Sequence, residues 1–198
     1  MRFVSEQSKA GLKILFGLLK VAMERLEQTS RELTTIYHTG NIISSGKSLN
    51  KIAEGIRDEI LLAVPEADGA AIFLYNEFNQ EYDPAAAPKN AGIIAPDSAI
   101  IKIVKLNPSG VIIEKYDEQN KEEFLKKCRS VLFAPIIKNE SLLGLIILWN
   151  IEKENAFKDS HALLTASVGS QFAEAIENIK HQQEEKDRQR LKEKKEYF

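Results

Sequence analysis

From residue 129 to residue 178 the chain reads RSVLFAPIIKNESLLGLIILWNIEKENAFKDSHALLTASVGSQFAEAIEN, and the spacing of its apolar positions changes twice along the way. Two apolar runs, Val131 to Ile137 and Leu142 to Trp149, flank the polar pair Asn139-Glu140, a break of hairpin length. They predict two adjacent central strands. Beyond them, Phe157 precedes Lys158-Asp159-Ser160, and an amphipathic run begins at His161. That order predicts a helix whose first turn is capped by Asp159 or Ser160, with Phe157 as an apolar staple, and which lies against the sheet.

At the other end, Leu12, Leu15, Leu19, Ala22, Leu26, Thr29, Leu33 and Ile36 are spaced 3, 4, 3, 4, 3, 4, 3, which keeps one stripe on one side of a helix. The stripe predicts a coiled-coil seam. Its dimer contacts are expected at Leu12, Leu15, Leu19, Leu26, Leu33 and Ile36. The segment from Gly40 to Gly46 is expected to break that helix, and Ser48 to cap a second one running to about Val64, with Leu49, Ile52, Ile56, Ile60 and Val64 on one face.

Between these ends the signals are shorter. Ala70 to Tyr75 reads as a central strand with a hairpin partner from Gln80, and Ala85 to Pro88 as an edge or bulged loop, because proline removes a ladder donor. Asp97-Ser98 is placed to cap a short helix with Ile100, Ile101, Val104 and Leu106, stopped by Pro108-Ser109-Gly110. Val111 to Ile113 is a short strand, and Asp117 to Lys127 a charged helix docking through Phe124 and Leu125. The order of elements predicts an α+β fold: an antiparallel central sheet of about five to six strands, helices on its faces, and long N- and C-terminal helices flanking it. After Ile179 the last helix is nearly free of apolar residues, so ion pairs or a partner must hold it. The chain divides into a coiled-coil-type helix at 1–40, a globular domain at 41–180 and a charged helical linker at 181–198.

Composition narrows the function classes. At 198 residues, 43% apolar and 28% charged, the chain suits one soluble domain with extensions, and a net charge of −2 argues against nucleic acid. The one cysteine, Cys128, rules out an internal disulfide and fits a reducing cytoplasm. Leu12 to Met23 is too short to span a bilayer and is interrupted by Lys20; it is read as a helix for a partner helix in preference to an interfacial one. No histidine or cysteine spacing matches a metal site, and no glycine-rich phosphate loop appears. His38, His161 and His181 are read as solvated or capping, Asp97, Glu114 and Asp117 need not converge, and Cys128, beside Lys126, Lys127 and Arg129, is a redox-reactive alternative to a packing residue. The chain is therefore read as non-catalytic.

The stretch ending in QFAEAIEN resembles the C-terminal half of a GAF domain, a small-molecule-sensing module of signalling proteins, and the resemblance extends over about residues 30 to 180. It implies a ligand pocket between the sheet and a roof at about residues 81 to 128, with walls at Phe73, Tyr75, Ile94, Ile101, Val104, Ile113, Phe133 and Pro135. Cyclic-nucleotide-binding members typically show Asn-Lys and later Phe, three residues, Asp-Glu. Here Asn150 is followed by Ile151, and Phe157 is followed three residues on by His161-Ala162, so that ligand is not expected. Ala95-Pro96-Asp97 is not a bilin loop and Cys128 abuts a strand, so neither is a chromophore, and no other cofactor is implied. The resemblance implies a cytoplasmic homodimeric sensor whose last helix feeds a downstream domain. LKEKKEYF resembles the linker before class III nucleotide cyclase domains, and histidine kinases and phosphatases use similar linkers. The competing readings are a ligand-free dimerisation module and a redox sensor or thiol enzyme acting through Cys128.

Overall fold

The structure is a computed structural model and describes residues 2–116 and 122–196. Helices α1 (Arg2–Ile43) and α2 (Leu49–Ala63) lead into strands β1 (Gly69–Asn76) and β2 (Glu81–Ala86); α3 (Ala99–Leu106) and β3 (Val111–Ile113) follow; β4 (Ser130–Lys138), β5 (Ser141–Asn150) and α4 (Asp159–Glu196) complete the chain. The five strands form one antiparallel sheet in the order β2-β1-β5-β4-β3. The α+β architecture expected from the element order is thus present.

Strand periodicity divides the apolar residues between two cores. Ile72, Leu132, Ala134, Ile136, Ile146 and Leu148 point to one face, where α2 contributes Ile52, Ile56 and Ile60 and α4 contributes Phe172, Ala173 and Ile176. Phe73, Val131, Phe133, Leu145 and Ile147 point to the other, under a roof built from α3 and the loops around it. The β4–β5 turn closes on Lys138 paired with Ser141, and both Asn139 and Glu140 have positive φ, the geometry of a two-residue hairpin whose twist matches its strands.

The first helix ends at Ile43, where Ile42 packs on Gly55 of α2, and the chain turns at Gly46, whose φ is 68°, both inside the segment from Gly40 to Gly46 expected to break it. Two other local expectations need correction. Ser48 has the extended backbone of an N-cap but its side chain makes no capping bond, whereas Ser98 accepts from the Ile101 amide at 3.3 Å as expected. Of the expected helix at 117–127, residues 117–121, with Asp117, lie outside the described residues, and the rest holds only a single 3-10 turn, Glu123–Leu125. That turn buries Leu125, which one turn suffices to do.

Helices α1 and α4 run in the same direction. Gln28 of α1 donates to Ser160 Oγ at the start of α4, and the last turn of α1, at Ile43, shares a groove with Asn178 eighteen residues further along α4. Their free ends therefore leave the domain at opposite poles: residues 11–27 of α1 at one, residues 181–186 of α4 at the other, all exposed. Helix α4 crosses β4 at Gly169, where a Cβ would strike the carbonyl oxygen of Pro135.

That close approach generates a stability prediction. Gly169→Ala gains about 1 kcal/mol of helix propensity, but its methyl meets backbone, so the helix must lift from the sheet at a cost of about 1–3 kcal/mol. The expected net result is a lower melting temperature; a melting temperature equal to or above that of the wild type disproves the backbone contact.

Candidate functional site

The roof side of the sheet gathers most of the aromatic residues of the core. Phe73, Tyr75, Tyr82, Tyr116, Phe124, Phe133 and Trp149 belong to it, against Phe157 and Phe172 on the helix side. Alternation in β1, β4 and β5 sends every second side chain there, and β2 adds Tyr82 from the edge. The rings touch in a group of three and two pairs: Phe73 to Phe124 at 5.8 Å and Phe124 to Trp149 at 5.6 Å, Tyr75 to Tyr82 at 5.1 Å, and Tyr116 to Phe133 at 6.2 Å between centroids. These separations fall in the range of tilted and edge-on aromatic contact.

The eight residues expected to line a pocket all fall on this side. Phe73, Ile94, Ile101, Val104 and Phe133 are buried in the roof core, and Tyr75 and Ile113 pack half-buried at its margin. Pro135 is buried, shares the parity of Val131 and Phe133, and pairs with Leu145 of the same core. Missed by the sequence reading were Tyr82, Tyr116, Val131, Leu145 and Trp149. Val131 and Trp149 were legible, since each lies two residues from a wall residue or its register partner on a strand. Tyr82 was not, because β2 carries Pro84 and pairs irregularly with β1 around Ile72 and Phe73.

Polar atoms in the roof are few and mostly phenolic. Tyr82 Oη lies 3.5 Å from the Leu142 carbonyl oxygen, and its backbone exchanges two 3.0 Å hydrogen bonds with Ile94, pinning the roof to the edge strand. Burial raises its pKa above the usual value, with Tyr75 adding to the effect. Burial pushes the Tyr116 phenol up to about 12, assisted by Glu122 and Cys128, so it stays protonated. Cys128 is buried, its amide donating to the Leu125 carbonyl at 3.0 Å.

Asn150, Phe157 and His161, where the sequence departs from the cyclic-nucleotide pattern, are engaged in contacts within the fold. Asn150 Oδ1 accepts from the Glu152 and Lys153 amides at 2.9 and 2.6 Å, and Nδ2 donates to the Glu66 carbonyl at 2.7 Å. Phe157 meets the His161 ring edge-on at 6.4 Å, and His161 Nε2 lies 3.7 Å from Glu66 Oε2. Asn150, Phe157 and His161 thus converge on the loop after α2. His161, read from sequence as solvated or capping, is in fact buried, and its Nδ1 accepts from the Lys158 amide at 3.3 Å. It borders a cleft of about 220 Å³ that Gln28, Glu32 and Arg31 of α1 close from the other side. His38 instead pairs with Glu59 at 3.0 Å on the surface, and His181 is exposed. Among the described residues no cluster of histidine, cysteine and carboxylate side chains is arranged to hold a metal.

This arrangement is the fold of a GAF domain. Solved structures similar to the chain include the GAF domain of an Acinetobacter phosphoenolpyruvate-protein phosphotransferase, at 18% identity over 74% of this chain and 92% of that one, with a TM-score of 0.62. The corresponding domain from Coxiella burnetii shares 14% identity over 77% and 96% of the two chains, with a TM-score of 0.63. A free methionine-R-sulfoxide reductase from Neisseria meningitidis, solved with its substrate, shares 12% over 75% and 91%, with a TM-score of 0.60. The sequence matches no family model and no curated protein.

The buried histidine predicts a pH dependence. Burial holds His161 below the ordinary value of 6.5, with Lys158 acting in the same direction and Glu66 and Glu32 opposing it. The unfolded chain then takes up a proton that the folded one resists, so this contribution to stability is present above pH 6.5 and declines as pH falls through that value. His161→Gln should lose less melting temperature than the wild type between pH 7.5 and 5.5. Equal losses in the two proteins refute the assignment.

Proposed function

We propose that the chain is a dimeric regulatory sensor without catalytic activity of its own: a small organic molecule binds between sheet and roof and alters how α4 is presented to a downstream output domain such as a nucleotide cyclase, histidine kinase or phosphatase. The observation that carries this reading is the aromatic asymmetry of the two cores. Ordinary packing needs apolar volume on both faces equally, whereas planar rings and a few phenols on one face suit an unsaturated or aromatic ligand. The fold shared with GAF domains of phosphotransferase proteins supports a regulatory role, and the described helices hold no segment long and apolar enough to cross a membrane. To act as a signal, the ligand must favour one arrangement of α4 over another, by a coupling of about 1–3 kcal/mol.

Two other readings have an observation each. Full burial of Phe73, Ile101, Val104 and Phe133 favours a filled core and a dimerisation module. Likeness to a methionine sulfoxide reductase favours a thiol enzyme at Cys128, but a single buried cysteine provides no resolving partner.

Ile113 separates the first two readings, because it sits at the margin of the roof core, paired with Val131. Ile113→Phe should keep its melting temperature and lose a small molecule that native mass spectrometry finds on the wild type. A wild type carrying nothing, together with a variant weakened by the 1–3 kcal/mol of about one overpacked residue, would favour the dimerisation module.

The dimer is assigned to the α1 stripe, whose Leu26 and Leu33 are 72% and 64% exposed in the single chain. Charges introduced there leave the domain's own core untouched but cost several kcal/mol, about what an unpaired buried charge costs, once a second copy covers them. Leu26→Asp with Leu33→Asp should therefore sediment as a folded monomer and the wild type as a dimer; a monomeric wild type at tens of micromolar sinks the assignment.

A further inference from the structure

The leading part of α1 holds more apolar surface than a dimer seam uses. Every residue from 11 to 27 is exposed, and Ile14, Phe16, Leu18, Val21 and Met23, none of them on the 3-4 stripe, are 49–66% so. At about 100° per residue, the apolar positions from Leu12 to Met23 sweep roughly 220° of the helix circumference, whereas a two-stranded seam covers only a narrow stripe. The remaining arc is held by Lys13, Gly17 and Lys20. Pairing through the stripe leaves Ile14, Leu18 and Val21 in water on one flank, Phe16 and Met23 on the other.

Charge follows the same division. Residues 1–23 hold Arg2, Lys9, Lys13 and Lys20 against Glu6, four minus one giving +3, in a chain whose net charge is −2. The rest of the protein is therefore repelled by the surface that attracts this segment.

We propose that residues 11–23 of α1 form an amphipathic anchor that lies in the headgroup region of an anionic membrane. Lys13 and Lys20 lie roughly 150–170° around the helix from the centre of that arc, so with the apolar face embedded their ammonium groups stand on the outer face among the phosphates. Further copies of the chain fit less well, because segments of like charge repel one another. The geometry leaves room for the domain. Thr35 and Thr39, buried where α1 meets it, lie roughly 110–150° around the helix from the centre of the apolar arc, so the domain stands to the side of the lipid. On the membrane the upper stripe, Leu12 to Leu19, faces lipid, and contact with a second copy falls to Leu26 and Leu33, since Ile36 packs against the domain's own core. The anchor stands independently of the dimer and of any ligand in the roof.

Flotation of the purified chain with vesicles tests it. The wild type should float with vesicles of equal parts phosphatidylcholine and phosphatidylglycerol, and far less with phosphatidylcholine alone. Lys13→Gln with Lys20→Gln should weaken binding roughly 25-fold, each lysine being worth about fivefold at an anionic surface. Ile14→Ser with Leu18→Ser should abolish binding while leaving the melting temperature and the lipid-free oligomeric state unchanged, since these side chains touch neither the domain nor the stripe. A wild type that stays with the soluble fraction on both vesicles overturns the proposal, as does an Ile14→Ser, Leu18→Ser protein that still floats. A wild type that sediments as a tetramer without lipid, reduced to a dimer by those two substitutions, overturns it in favour of further copies. A monomeric wild type that floats supports the anchor and removes only the dimer.

Discussion

The molecule depends on one constraint, the register of β5 between β4 and β1. Because neighbouring residues on a strand face opposite ways, Leu145 and Ile147 serve the roof core while Ile146 and Leu148 serve the helix core, and a slip of one residue would exchange the two sets. Two features mark the register. The two-residue turn at Asn139-Glu140, together with the one-residue register shift that skips Leu143 between the Ile137–Leu142 and Ile136–Gly144 pairs, sets β5 against β4, and at Gly144 β5 approaches β1 so closely that a Cβ would strike the carbonyl oxygen of Phe73. The aromatic face of the proposed site is a consequence of this pairing, because Phe73, Phe133 and Trp149 meet only when all three strands are in phase.

What the sequence disclosed follows from how local each signal was. The β4–β5 hairpin was legible because period and turn lie close together, but the cap of α4 was not: Asp159 and Ser160 already belong to the helix, and it is His161 Nδ1 that accepts the Lys158 amide at the helix start. The end of α1 was legible only as a segment, Gly40 to Gly46, because its place at Ile43 involves the packing of Ile42 on Gly55, a contact that no local pattern encodes. The role of His161 was hidden for the same reason: its partner Glu66 lies 95 positions away in sequence, and its burial depends on α1 closing over both. On the site side, the expected wall residues came from family analogy alone, with strand alternation expected to put only half of them inside, whereas all eight fall on the roof side of the sheet. Tyr82 escaped notice because a proline-bearing edge strand has no readable period.

The two terminal helices differ in what holds them. From Gln28 to Ile43, α1 is fastened to the domain by polar bonds at one end and by Ile36, Ile42 and Ile43 at the other. Helix α4 is buried through Ile176 and partly through Ile179, and after that its sequence as far as Glu196 is charged and polar apart from Leu191. A helix with no apolar face is marginal in water. Its state beyond the domain is therefore set by small energies.

One such energy lies where α4 leaves the sheet. Lys180 Nζ meets Glu77 Oε1 at 2.6 Å, and this bond holds the Glu77 carboxyl below its usual pKa. Glu77 sits at the tip of the β1–β2 hairpin, which Asn76 organises by accepting from the Phe78 amide at 3.0 Å and donating to Asp83 at 2.7 Å. Asp83 adjoins Tyr82, whose backbone carries the roof through Ile94. An unbroken series of short contacts thus joins the roof to the first turn of the free tail. An exposed ion pair contributes at most about 1 kcal/mol, too little to matter in the core but comparable to the stability of the tail itself. Loss of this one bond would therefore weigh on the tail and leave both cores as they are.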